Sequence, residues 1–202
     1  MFSDKTILKC MTNSSDNIAE IKRRIEIAEA IVIGAGAGLS SAAGLEYSGK
    51  RFQKYFYDFI EKYGFTDMYS GGFYPFETPE EYWAYWSRYI FVNRFECTEN
   101  GVYKRLLKLV ENFVQDEGWH SASKQYGNFI EKHGSENILF LELGVGYNTP
   151  GIIKFPFWKI TAKNPEAFYI CVNFGEVYVP DEIKKRAICV NSDINEFLKK
   201  IS

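Results

Sequence analysis

Glycine recurs at positions 34, 36, 38 and 44 in Val32-Ile33-Gly34-Ala35-Gly36-Ala37-Gly38-Leu39-Ser40-Ser41-Ala42-Ala43-Gly44, with two hydroxyl side chains after the third of them. Without a Cβ the backbone passes through positive φ at little cost, and a ligand can come close to its amides. A helix starting directly after such a turn adds unpaired N–H groups and the positive end of a dipole, so an anion such as a diphosphate suits the place. Ser40 and Ser41 could bond a phosphate or a ribose hydroxyl, and they would serve equally as helix caps. The same glycines also let a helix pack tightly on a sheet, and the pattern alone leaves both uses open.

Three further places carry small or polar residues where a ligand would need them. Gly144-Val145-Gly146 follows the apolar run Asn137-Ile138-Leu139-Phe140-Leu141-Glu142-Leu143 and leads to Asn148 and Thr149, which divide evenly between ligand contact and turn formation. Asn173 ends a second apolar run, and Ser192-Asp193-Ile194 follows a third. His120 has the ionisation range of a general base, but its place at a helix start fits a surface role as well. His133, followed by Gly134, reads as a favourable charge at a helix C-terminus. Neither histidine is assigned to catalysis.

Several functions are disfavoured at once. The dinucleotide fingerprint G-x-G-x-x-G fails in both registers, its third glycine falling on Leu39 or Ser41, and no Gly-Lys-Ser/Thr follows to make a P-loop. A flavin or NAD oxidoreductase, suggested by VIGAGAGL, is weakened accordingly. Net charge is −2, with basic residues scattered among acids, so the electrostatic attraction that nucleic acid requires is missing. Cys10, Cys97, Cys171 and Cys189 stand far apart, which supports neither a zinc ribbon nor a disulfide framework and predicts reduced thiols. The start MFSDKTILKC is polar, and no apolar run reaches the roughly 18 residues of a membrane span, so a cytoplasmic protein without signal peptide or anchor is expected.

The elements that must position these residues follow from periodicity. Ser15-Asp16 caps a predicted helix through Ile18, Ile21, Ile25 and Ala28, and a strand over 30–33 runs into the glycine turn. Aromatics crowd residues 51–94, with helices predicted over 51–63 and 78–94 joined by the loop YSGGFYPFETP; they read as the core of a helical lid. Further helices are predicted over 102–110 and 121–133, and apolar strands over 137–143, 167–173 and 186–190. Helices alternating with such strands predict an α/β fold, a Rossmann-like doubly wound parallel sheet with an aromatic-rich helical lid. In that architecture residues 34–44, 144–150, 173–176 and 191–194 converge on one crevice at the carboxyl ends of the strands.

At this point a resemblance enters. Gly36-Ala37-Gly38-Leu39-Ser40-Ser41-Ala42-Ala43-Gly44-Leu45 resembles the G-A-G-x-S-x-x-x-G-I signature of sirtuins, the NAD-dependent protein deacylases and ADP-ribosyltransferases. Gly144-Val145-Gly146 stands where that family has G-T-S, Asn173 where it has a ribose-binding asparagine, and Ser192-Asp193-Ile194 where it has G-D-A. Glu46-Tyr47-Ser48-Gly49 replaces the P-D-F-R of most deacylases. With YSGGFYPF, FVQDEGWH and LELGVGYNTPGIIKFPFW, this is similar to the microbial, macrodomain-linked class M branch, associated with protein ADP-ribosylation.

The resemblance implies one sirtuin-like NAD-binding domain over 1–202, with lid helices in about 51–112. NAD would be held by Gly36, Ala37, Gly38, Ser40, Ser41, Gly44, Gly144, Val145, Gly146, Asn148, Asn173 and Ile194, and an acceptor by Phe113, Val114 and Asp116. The implied reaction is transfer of ADP-ribose to a protein acceptor with release of nicotinamide, the partner being a lipoyl-carrier-like protein alongside a macrodomain. The pattern departs from the family near 112–113, where sirtuins place a strand, the catalytic position and usually a zinc ribbon. No catalytic residue or metal ligand is therefore assigned. Deacetylation within the same family, and NAD or ADP-ribose binding without turnover, remain the alternatives.

Overall fold

The computed structural model describes residues 14–96, 101–109, 119–147, 150–175 and 177–202; the expected site residues Phe113, Val114, Asp116 and Asn148 lie outside these. In chain order the elements are α1 (Ser14–Ile27), β1 (Ala30–Ala35), α2 (Ala37–Ala42), α3 (Gly49–Tyr63), α4 (Met68–Gly71), α5 (Pro79–Ile90), α6 (Val102–Leu107), α7 (Trp119–Lys132), β2 (Ile138–Leu143), α8 (Lys154–Lys163), β3 (Phe168–Asn173), β4 (Ala187–Asn191) and α9 (Ile194–Ile201). They form two compact units, one of residues 1–42 with 101–202 and one of residues 43–100. Among the described residues no helix is long and apolar enough to cross a membrane.

The first unit is built on a four-stranded parallel sheet in the order β1-β2-β3-β4. All six residues of β2 are buried, which explains their unbroken apolar character: a parallel strand covered on both faces has no side that alternates with water. Phe140, Tyr169, Cys171 and Cys189 share one face and pack under Phe157 and Trp158 of α8. Leu139 and Phe168 pair on the other face, where the Arg24 guanidinium of α1 lies 4.0 Å from the Phe168 ring centre. There α1 packs against β4 and α9 against β3, so helices flank both faces and the sheet is doubly wound. Both α2 and α6 pack on α9; the sequence reading had grouped α6 with the lid.

Helix ends show where local chemistry acts. Asp193 caps α9 by accepting from the Glu196 amide at 3.0 Å. At the far end of α8 the Arg186 guanidinium donates to the carbonyls of Thr161 at 2.5 Å, Asn164 at 2.7 Å and Ala167 at 3.0 Å. This cation serves the Thr161 carbonyl, one of those that the C-terminus of α8 leaves unpaired, and ties it to the chain that leads into β3. Ser15 and Asp16, expected as caps, lie within the first turn of α1.

The second unit is held by an aromatic core of Phe52, Phe56, Phe59, Phe65 and Tyr85 with Met68 and Val92. Rings meet edge to face, as Phe59 and Tyr85 do at 5.3 Å between centres and 82° between planes. Thr78 caps α5 with Pro79 as its first residue. The predicted helix over 78–94 ends earlier than expected: α5 stops at Ile90 and a π-helical turn, Phe91–Phe95, continues it. That turn is tied to α3 by Arg51, which donates to the Val92 carbonyl at 2.7 Å and to Asn93 Oδ1 at 2.9 Å.

Candidate nucleotide-binding site

Because all four strands are parallel, their carboxyl ends lie along one edge, and backbone hydrogen bonds link the loops that leave it. The Gly36 amide donates to the Leu143 carbonyl at 2.9 Å and the Gly38 amide to the Gly144 carbonyl at 3.0 Å. The Gly144 amide donates to Val172 at 2.9 Å, and the Ser192 amide to Asn173 at 3.1 Å. The four segments expected to converge thus meet in the order of their strands.

The glycines are required by this contact. A Cβ on Gly36 would lie 2.5 Å from the Gly144 oxygen, one on Gly38 2.7 Å from the Gly144 Cα, and one on Gly144 2.6 Å from the Gly38 Cα. Gly144 also holds φ at 65°, where only glycine is unstrained. Of the two uses left open by the sequence, close packing of backbone on backbone is therefore realised at 36, 38 and 144. Gly146 differs: a Cβ there would meet no described atom within 4 Å. Gly34 answers to the opposite face, where its Cβ would strike Ile153 at 2.4 Å and Phe157 at 2.7 Å.

The other expected residues fall around this junction unequally. Ala37 begins α2, so its amide has no carbonyl four residues back within the helix. The Tyr103 hydroxyl donates to Ser40 Oγ at 3.4 Å, and Ser41 is exposed. Val145 is buried, and its carbonyl accepts from Asn173 Nδ2 at 3.5 Å, while Asn173 Oδ1 accepts from the Phe174 amide at 3.0 Å. Ile194 is buried in the core, so only its main chain could reach a ligand. Gly44 belongs to the second unit and turns the chain there at φ 83°.

His133 lies just after α7 and before β2, at the amino-terminal edge of the sheet, with Nδ1 against Glu136 Oε2 and its ring 4.5 Å from Phe129. That is the edge opposite the glycine junction. His120 falls within α7.

The sequence places Asn191 and Phe174 in the converging segments without giving either a role, and singles out neither Glu142 nor Lys154. Asn191, level with Asn173 on the next strand, accepts from the Gly175 amide at 2.9 Å and fixes the turn after β3. Phe174, at the tip of that turn, is 82% exposed. Beneath the Gly144 turn, Glu142 and Lys154 form a fully buried ion pair. The signals were a charged residue inside the apolar run NILFLEL and a lysine inside IIKFPFW, both outside the glycine pattern.

Fold and site together define an α/β protein whose glycine turns meet at the carboxyl edge of a parallel sheet, the place where open sheets of this kind take ligands. No family model matches the chain. It is 27% identical to a protein ADP-ribosyltransferase of Staphylococcus aureus, over 89% of this chain and 85% of that protein. It is 29% identical to a probable bifunctional ADP-ribose hydrolase/ADP-ribosyltransferase of Fusarium oxysporum f. sp. cubense, over 55% of this chain and 19% of that protein. The staphylococcal alignment runs over 269 positions, more than the 202 residues present here, so that relative carries residues without counterparts in this chain.

Proposed function

We propose that the chain binds NAD at the glycine junction and transfers its ADP-ribose to a protein side chain, as a sirtuin-like transferase of the macrodomain-linked class M type. The observation that carries this reading is the backbone junction of Gly36, Gly38 and Gly144 at the carboxyl edge of the sheet, with no described atom within 4 Å of a Cβ placed on Gly146 beside it. The similarity to a staphylococcal protein ADP-ribosyltransferase over most of both chains supports the transferase chemistry. Relatives of that name favour it over deacetylation, as does Glu46-Tyr47-Ser48-Gly49 in place of P-D-F-R.

In the reaction, the bond between C1′ of the ribose and the nicotinamide nitrogen breaks, nicotinamide leaving with the electron pair. A heteroatom of the acceptor forms the new bond to C1′ and gives up its proton. This chain's residues bind and orient: amides around Ala37 and the Ser40 and Ser41 hydroxyls serve the diphosphate, and Asn173 with the Gly144 turn serves the adenosine side. Holding both partners in place removes much of the entropic barrier, and keeping water out prevents hydrolysis of the electrophilic centre. The acceptor is a protein, in our reading a lipoyl-carrier-like one.

A second reading has its own observation. Since the staphylococcal alignment exceeds this chain in length, the catalytic position can be among the residues without counterparts, leaving NAD or ADP-ribose binding without turnover. Thermal shift and calorimetric titration with NAD and ADP-ribose test binding in both readings. Gly146→Phe should abolish the shift while leaving the unliganded melting temperature near that of the parent; binding unchanged by this substitution would remove the proposed location. Free nicotinamide measured by chromatography, with a lipoyl-carrier protein supplied, separates the two: it accumulates only if the chain is an enzyme.

A further inference from the structure

We infer that the buried ion pair between Glu142 and Lys154 is a clamp that positions the Gly144 turn for its ligand. The inference rests on the proposed location of the nucleotide site. Glu142 is the fifth residue of β2 and Lys154 the first of α8, so the pair joins the two ends of the stretch that carries Gly144, Gly146 and Tyr147.

Described groups surround the pair on both sides. Glu142 is 0% and Lys154 1% exposed. Lys154 Nζ donates to Glu142 Oε1, and the Tyr169 hydroxyl donates to Oε2 at 2.5 Å. Cys171 Sγ lies 3.5 Å from Oε1 as a further donor. Burial raises the titration of both Tyr169 and Cys171, with Glu142 adding to the effect, so each keeps the proton it donates. On its other side the ammonium lies 5.1 Å from the centre of the Tyr147 ring and 5.8 Å from that of Trp158. Lys154 thus touches β2, the residue after Gly146, and its own helix.

Stability alone does not call for this arrangement. The same sheet face is otherwise lined by Phe140, Phe157 and Trp158, and a buried ion pair can often be replaced by apolar residues of similar volume with little loss or even a gain. What an apolar pair lacks is direction: the carboxylate and ammonium fix the distance and angle between the end of β2 and the start of α8. Residues 143–147 are anchored there and again at Tyr147. Glu142 and Lys154 act on ligand only through the turn they hold, as positioning residues.

The test uses the full chain and the paired variant Glu142→Met/Lys154→Met, with Tyr147→Leu as a substitution at a partly exposed residue that leaves the ion pair in place. Melting temperature, amide hydrogen exchange and ADP-ribose affinity are measured for each. The paired variant should melt within a few degrees of the parent, while amides of 145–147 and 151–153 exchange about tenfold faster and those of β2 stay protected. ADP-ribose affinity should fall about tenfold in the paired variant and about threefold in Tyr147→Leu. Exchange in 145–147 at the parent rate in both variants overturns the inference, as does a paired variant that binds ADP-ribose as tightly as the parent. A parent chain that binds no ADP-ribose, with exchange still accelerated in the variants, refutes the nucleotide site and leaves the clamp standing.

Discussion

Gly38 and Gly144 touch through their backbones: the Gly38 amide donates to the Gly144 carbonyl at 3.0 Å, and a Cβ on either would fall within 2.7 Å of the other's Cα. Two turns that are far apart in sequence therefore share one van der Waals surface. Alanine at either position should destabilise the fold by about 2 kcal/mol, from overpacking at both and from left-handed strain at 144. Gly146→Ala, whose Cβ would meet no described atom within 4 Å, should stay within about 0.5 kcal/mol of the parent. Urea unfolding of the three variants checks the contrast, and equal midpoints would contradict the contact.

Arg186 closes the C-terminal end of α8 by donating to three carbonyls. Arg186→Met keeps much of the side-chain volume and removes the donor to the Thr161 and Ala167 carbonyls, while the Asn164 carbonyl still accepts from the Ala167 amide. The expected cost is about 2 kcal/mol, in the range of hydrogen bonds made by charged groups. Thermal denaturation gives the answer: a melting temperature unmoved by the substitution would show that solvent replaces the cation.

Glu20 supplies a pH dependence. Hydrogen bonds from Arg23 and then Arg24 hold its carboxyl down at about 2. A depressed carboxylate adds stability that is present above the unfolded value, about 4.3, and lost as pH falls through the folded one. The side chain is 36% exposed, so solvent screening keeps the contribution below about 1 kcal/mol. The stability difference between the parent and Glu20→Gln should be constant near neutrality, shrink between about pH 4.5 and pH 2, and vanish below. A difference that persists at lower pH would assign the effect to packing.

Cys171 and Cys189, both buried thiols, face each other across β3 and β4. Burial, reinforced by Glu142, pushes the Cys171 thiol up, which disfavours the reactive thiolate. Peptide mapping after alkylation of the native protein at pH 8 should find neither residue modified, with both modified in denaturant. Labelling of Cys171 in the folded protein would show that this sheet face opens.

Much of the architecture was legible because it follows from one-dimensional pattern. Residues 30–33 read as a strand covered on both faces, NILFLEL as a strong strand, and Ser192-Asp193-Ile194 follows the last one. The helix α8 was not legible: in KFPFWKITAK the opening lysine is followed by aromatic residues and a proline, and no polar stripe marks a helix. Pro156 is tolerated because it stands in the first turn, where its missing N–H is not needed. What makes this segment a helix is the burial of Phe157 and Trp158 on the sheet. Glu142 and Lys154 escaped for a similar reason, since a partner across a strand and a helix has no local signature.

The sequence by itself determined the strands, the aromatic core of the second unit and the glycine turns, because hydrophobic period and missing Cβ atoms act within a few residues of chain. Only the tertiary structure decided what those glycines are for and where the buried charges meet. Gly38 owes its identity to Gly144, and Lys154 its burial to Glu142; such pairings depend on distances that arise only once the sheet has brought separate segments together.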